Sequence, residues 1–150
     1  MKADPRRRDL AAYPASLTLE TRFADMDVNG HLNNVAFARL FEETRVRFNR
    51  GNLRDSGPAT PAPGERRSSF VVAHVAIDYL AEGNYPATVT IGYAIARIGS
   101  SSFTVAMAAF QEGSCIALCD SVLVHRDPTS GPAPIPPALR ERLEGFALRG

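Results

Sequence analysis

VAFARLFEETRVRFN, residues 35–49, is the one long helix-like run in the chain, and the fold is read outward from it. Phe37, Leu40, Phe41, Thr44 and Phe48 recur at spacings of 3, 4, 7 and 11, while Arg39, Glu43 and Arg47 fall on a separate polar stripe. That is the period of an amphipathic α-helix of about four turns with one face to bury. Glu43 to Arg47 is the favourable i,i+4 ion-pair orientation. Asn33 or Asn34 suits the N-cap, and Gly51 stands where a helix C-terminus wants positive φ.

Downstream, residues 51–67 carry three prolines and three glycines without periodicity and read as a long loop. Four strand-like runs follow, 69–80, 87–98, 102–110 and 115–125, separated by breaks short enough for hairpins, so the sheet is antiparallel. In the first run Val71, Ala73, Val75, Ile77 and Tyr79 form one apolar face, with His74 and Asp78 on the other. Upstream, residues 16–23 alternate as a half-buried strand with Leu17, Leu19, Thr21 and Phe23 on one side. Residues 1–13 read as a loose arm, and 127–150 as a Pro-rich tail with one short helix. The order β-α-β-β-β-β predicts an α+β fold in one domain over 1–150. Its single long helix buries its stripe against the concave face of a curled antiparallel sheet of about five strands.

At 150 residues and 45% hydrophobic, the chain suffices for one sizeable core and not for two. Seventeen basic residues against sixteen acidic ones leave +1, so no overall field recruits nucleic acid or an anionic membrane. The basic N-terminus lacks a following apolar segment, and no apolar run approaches the roughly 20 residues of a membrane span. A soluble cytoplasmic protein is expected. Cys115 and Cys119 sit at i and i+4 of a strand-like run, roughly 13 Å apart on one face. No disulfide spans that, and they read as buried free thiols.

Between the first strand and the helix lies RFADMDVNGHLNN, residues 22–34, which gathers Asp25, Asp27, Asn29, His31, Asn33 and Asn34 around Gly30. A turn and a cap account for part of it, with Asp25 and Asn29 as Asx-turn residues and Gly30 at positive φ. Asp27 and His31 are left over. Asp25-x-Asp27-x-Asn29-Gly30 matches the first half of an EF-hand loop, but Ala36 stands where the bidentate Glu belongs and a strand replaces the incoming helix. No metal and no other cofactor is expected. As a catalytic site the stretch makes better sense. The first N–H groups of the helix are unpaired and carry the positive end of its dipole, so they can hold a carbonyl oxygen as it becomes an oxyanion. A carboxylate just upstream attacks the carbonyl or takes a proton from water. A thioester suits so small a device, because its carbonyl is electrophilic and thiolate leaves readily. The sequence has no G-x-S-x-G, C-x-x-C, G-x-x-x-x-G-K or H-E-x-x-H. Arg66 and Arg67, at the end of the long loop, are candidates to meet phosphates, and His125-Arg126 closes the last strand.

F-A-D-M-D-V-N-G-H-L-N-N, followed by a helix ending E-E-T-R-V-R-F, resembles the hotdog-fold acyl thioesterases, the 4-hydroxybenzoyl-CoA thioesterase-like group, and the element order agrees over about residues 15–126. The resemblance implies that Asp27 is the nucleophile or general base and that a backbone N–H near Asn34 polarises the thioester carbonyl. It also implies a homodimer or homotetramer with active sites at the subunit interface, where the pantetheine arm of acyl-CoA or acyl-carrier protein enters. Plant acyl-ACP thioesterases are similar through a D-x-N-x-H set, matched by Asp27, Asn29 and His31. For their further acidic residue the available carboxylates are Asp78 and Glu82. Asn33, Arg66, Arg67 and Asp78 are the weaker substrate-binding candidates. Asn-Gly-His replaces small apolar residues of the benzoyl-CoA enzyme, which favours an aliphatic acyl group.

Two other functions compete. The hotdog (R)-specific enoyl-CoA hydratases use a similar Asp, Asn and His set with one more residue between Asn and His, where Gly30 alone fills the gap. A non-catalytic hotdog that binds an acyl thioester usually brings a DNA-binding segment, and the arm with Arg6, Arg7 and Arg8 is too short to be one.

Overall fold

The computed structural model describes residues 4–52, 69–127 and 129–150. β1 (Ala15–Leu19) leads through a 3-10 turn, Phe23–Asp25, and the polar loop into α1 (Asn34–Asn52). β2 (Ser69–Tyr79), β3 (Val89–Ile98), β4 (Ser102–Gln111) and β5 (Ser114–Asp127) follow, then the two-residue β6 (Gly131–Pro132) and α2 (Pro137–Glu144). All pairings between these strands are antiparallel, and the main strands lie in the order β1-β3-β4-β5-β2. Glu112 and Gly113, both at positive φ, make the two-residue β4–β5 turn, the geometry that matches strand twist. Phe37, Leu40 and Phe41 of α1 share a core with Ile91, Tyr93, Val105, Met107 and Leu123 of the sheet. Each such side chain contributes about 1.5–3 kcal/mol on burial. One helix wrapped by a curled five-stranded sheet is the expected hotdog arrangement. Among the described residues no helix is long and apolar enough to cross a membrane.

The structure departs from the sequence reading in several places, each with a local cause. β1 stops at Leu19, because the Asp25 carboxylate takes the Arg22 N–H (2.8 Å) and turns the chain. Phe23 is thereby left 74% exposed rather than on a buried face. Gly51 does not end the helix; it lies in the last turn of α1 without positive φ. The long loop otherwise falls outside the described residues.

Two bulges shift side chains between faces. At Ala73 the register with β5 slips, so Val72, not Ala73, stands opposite Leu123, Val71 moves to the other face opposite Val124, and the apolar face expected along β2 is split. At Ile116 the pairing jumps from Phe110↔Cys115 to Ala109↔Ala117. Cys119 therefore lies in the helix-side core, while Cys115 packs on the other face with Tyr13, Phe110 and Leu118. The two thiols are free, as expected, but do not share a face. Burial pushes the Cys119 thiol up to about 11.

From Asp4 onward the N-terminal arm is not loose. Pro5–Arg8 and Leu10–Ala12 form 3-10 turns on the sheet face opposite α1. There Arg7 is fully buried, its Nη1 2.8 Å from Asp120 and its Nη2 donating to the Met107 and Cys119 carbonyls at 3.2 Å. A carboxylate and two carbonyls offset the desolvation of the guanidinium, which a pattern-based reading of a charged segment does not anticipate. The tail carries its one short helix, burying Leu139 and Leu143. Ile95 N–H donates to the Phe146 carbonyl (2.7 Å), so the tail covers the edge of β3 beyond the last β1 pairing, Ala15↔Tyr93.

Candidate active site

Asp25 and Asp27 are two residues apart and do different work. Asp25 is 2% exposed; its Oδ2 accepts the Arg22 N–H (2.8 Å) and Arg39 Nη2 (2.7 Å), and its Oδ1 accepts Arg22 Nη2 (3.0 Å). Its carbonyl accepts the Asn33 N–H (2.8 Å). One residue thus ties together the start of the loop, its end and the side of α1. Burial alone would raise its carboxyl, but the hydrogen bonds from Arg22 and Arg39 outweigh this and hold it below the ordinary carboxylate value.

Asp27 is exposed. Its Oδ1 accepts the N–H groups of Asn29 (2.8 Å) and His31 (3.1 Å), its own N–H donates to the His31 carbonyl (2.7 Å), and Gly30 at φ 80° closes the turn. The Asx turn therefore belongs to Asp27, not to Asp25 or Asn29. This arrangement orients the carboxylate through Oδ1 and leaves Oδ2 without a partner among the described residues.

Asn33, not Asn34, is the N-cap of α1: its Oδ1 accepts the Ala36 N–H (2.8 Å) and its carbonyl the Phe37 N–H (3.2 Å). The N–H groups of Asn34 and Val35 remain the unpaired donors of the first turn among the described residues. On the outer side Leu32 N–H donates to the Gly83 carbonyl (2.9 Å), and His31 bridges to Asn84. His31 Nε2 lies 3.0 Å from Glu82 Oε2. Gln111 of β4 fixes this second loop, accepting the Asn84 N–H (2.8 Å) and donating to the carbonyls of Asn84 (2.7 Å) and Ala87 (3.1 Å).

The structure brings Asp27, Asn29, His31, Asn33 and Asn34 into one loop-and-helix start, with Asn29 contributing its backbone N–H to Asp27. It does not bring Asp78 there. Ile77 and Tyr79 face α1, Tyr79 meeting Phe37 edge to face, so Asp78 points to the opposite side of the sheet. Glu82 is the carboxylate that meets the imidazole. Arg66 and Arg67 lie outside the described residues. Sequence reasoning missed Gln111, whose signal is only a polar residue ending an apolar strand. It also missed Arg22 and Arg39 as the holders of Asp25, because it read Asp25 as an Asx-turn residue and Arg39 as part of the polar stripe of the helix. Phe23, Val28 and Val35 stand exposed around the loop, and Tyr85 meets Phe23 edge to face, so one chain leaves the site with an apolar, uncovered rim.

The chain belongs to the thioesterase-like superfamily, which matches residues 21–143. Solved structures agree. A thioesterase from Thermus thermophilus, crystallised with coenzyme A and zinc, is 30% identical at a TM-score of 0.74, over 89% of this chain and 94% of that one. A Pseudomonas aeruginosa protein is 26% identical at 0.78, over 94% and 97%. A protein from Bacillus stearothermophilus described as a predicted thioesterase is 26% identical at 0.75, over 90% and 97%. No curated protein matches the sequence. Fold and family together are those of the thioester hydrolases in general.

Proposed function

We propose that the protein hydrolyses an acyl-CoA or acyl-carrier-protein thioester, with Asp27 as nucleophile or general base and the N–H groups at Asn34 and Val35 as the oxyanion site. The carrying observation is an exposed carboxylate held by its own turn immediately before an α-helix whose first donors are unpaired. As base, Asp27 takes a proton from water while the water oxygen adds to the carbonyl carbon, and the helix N–H groups meet the charge that develops on the carbonyl oxygen. The tetrahedral species then collapses, the carbon–sulfur bond breaks, and the thiolate leaves and is protonated. His31, held against Glu82, orients the water or the carboxylate. Asn33 supports the site as cap. The rim of Phe23, Val28 and Val35 favours an aliphatic acyl group and a second subunit to complete the wall. Free thiols fit a reducing cytoplasm. The Thermus thermophilus relative bound coenzyme A, which supports CoA as the thiol half, with Arg66 and Arg67 available for its phosphates. An acyl-CoA panel read by thiol release tests the proposal: turnover of at least one chain length is expected, and binding without thiol release across the panel overturns it.

A further inference from the structure

Arg45 lies on the sheet-facing side of α1 and is only 7% exposed. Its one hydrogen bond among the described residues runs from Nη1 to Ser121 Oγ of β5, at a long 3.4 Å. No carboxylate among them lies within ion-pair reach of it; on its own helix Glu43 is taken by Arg39 and Arg47. Buried charges are normally paired, because a lone one has lost its hydration without a compensating partner. The same chain shows how a buried guanidinium is satisfied: Arg7 holds Asp120 at 2.8 Å and two carbonyls at 3.2 Å. Arg45 keeps a fork of donors with one hydroxyl to serve it.

Its position relative to the candidate active site follows from the register. Cys119 and Leu123 of β5 face α1, and with them Ser121; their partners on β2 are Ile77, Val72 and Val75. Val72, Val75 and Tyr79, all on this helix side, are exposed, so a strip between α1 and β2 is left open. Tyr79 fixes one end of the strip by meeting Phe37 edge to face, a turn inside the unpaired N–H groups of Asn34 and Val35. Val75, paired with Ser121, fixes the other end at Arg45. Phe37 to Arg45 covers roughly 12 Å of helix, and Tyr79 to Val75 roughly 13 Å of strand, so the two walls run in step. We propose that this strip takes the acyl chain and that Arg45 binds a carboxylate at the chain's far end, which makes the preferred substrate a thioester of a medium-chain dicarboxylic acid. This rests on the hydrolase reading above and narrows its substrate. The valines and Tyr79 suit the methylenes between the two ends. The planar guanidinium matches a carboxylate with two parallel hydrogen bonds, and its side chain leans back toward the helix start, where the carbonyl is held.

Thiol release from suberoyl-CoA, which ends in a free carboxylate, against octanoyl-CoA of equal length tests the assignment. The wild type should favour suberoyl-CoA in kcat/KM at least about tenfold, the scale of one hydrogen bond to a charged group. Arg45→Met, which fills the position and removes the cation, should reverse the order. Ser121→Asp, which gives the guanidinium a fixed carboxylate, should abolish the preference with Arg45 still in place, and it reads the same point if Arg45→Met does not fold. A wild type that turns over octanoyl-CoA equally well or better, or a preference that survives in the folded variants, overturns the role of Arg45 and leaves the hydrolase standing. If no thioester releases thiol, the hydrolase reading falls and binding decides the rest: suberate should raise the Tm of the wild type and not that of Ser121→Asp, and no rise in the wild type overturns the carboxylate site as well.

Discussion

Replacing each loop aspartate by asparagine separates the scaffold from the chemistry. In Asp25→Asn a buried carboxylate that accepts from Arg22 and Arg39 loses its charge, and one of its two oxygens becomes an amide facing guanidinium donors. Hydrogen bonds to charged groups contribute about 1.5–3 kcal/mol, and the exposed Arg22 side chain is screened. The loss is therefore about 2 kcal/mol, a fall of roughly 4–8 °C in Tm for a chain of this size. In Asp27→Asn the retained Oδ1 still accepts from Asn29 and His31. Stability should change by less than about 0.5 kcal/mol, whereas hydrolysis should fall at least about 100-fold, or about 2.7 kcal/mol of barrier. Thermal unfolding and thiol release measured well below both Tm values read the two effects separately. If folded Asp25→Asn is the inactive variant and Asp27→Asn keeps its rate, the roles assigned here are reversed.

His31→Ala should lower turnover less than Asp27→Asn does, and Glu82→Gln less again, if the imidazole only orients; steady-state kinetics with His31→Ala as the more damaging change would contradict this. Gly92→Ala would set a Cβ 2.5 Å from the Tyr13 ring, so it should cost about 1–3 kcal/mol in denaturant titration, and much less in a Tyr13→Ala background. Because the Asp25 carboxyl is held low in the folded chain, its stabilisation is complete above the unfolded value of about 3.9 and is lost as pH falls through the folded value. Acid titration of stability should therefore show a steep loss below about pH 4, and Asp25→Asn should flatten it.

The helix and the strand count were legible because periodicity reports which side of an element is buried. Phe37, Leu40 and Phe41 lie where their spacing puts them, and Glu43 meets Arg47 at 2.7 Å. What periodicity cannot see is a residue inserted into a ladder. The bulges at Ala73 and Ile116 each exchange the faces of the residues on one side, which is why Val71 and Cys115 were misplaced. The candidate site loop stood out in the sequence as an excess of polar groups over what a turn needs. What holds each carboxylate did not, because Asp25 is buried against Arg22 and Arg39 while Asp27 stays exposed and closes its own turn on the Asn29 and His31 N–H groups, a difference that depends on the folded chain. Arg7 shows the same limit: its partner Asp120 lies more than a hundred positions away in the chain.

Gln111 gives the site loop a second mooring. Asp25 ties the Asp27 turn to α1, and Leu32 and His31 tie it to Gly83 and Asn84, which the Gln111 amide joins to a central strand. The Asp27 turn and the start of α1 are therefore tied to β4, the middle strand of the sheet. For the hydrolysis proposed above, such a frame would leave little backbone reorganisation to the reaction itself, which is preorganisation. Amide exchange at Leu32 and Asn84 should then track the opening of β4, so that the Asp27 loop is among the last parts of the molecule to loosen.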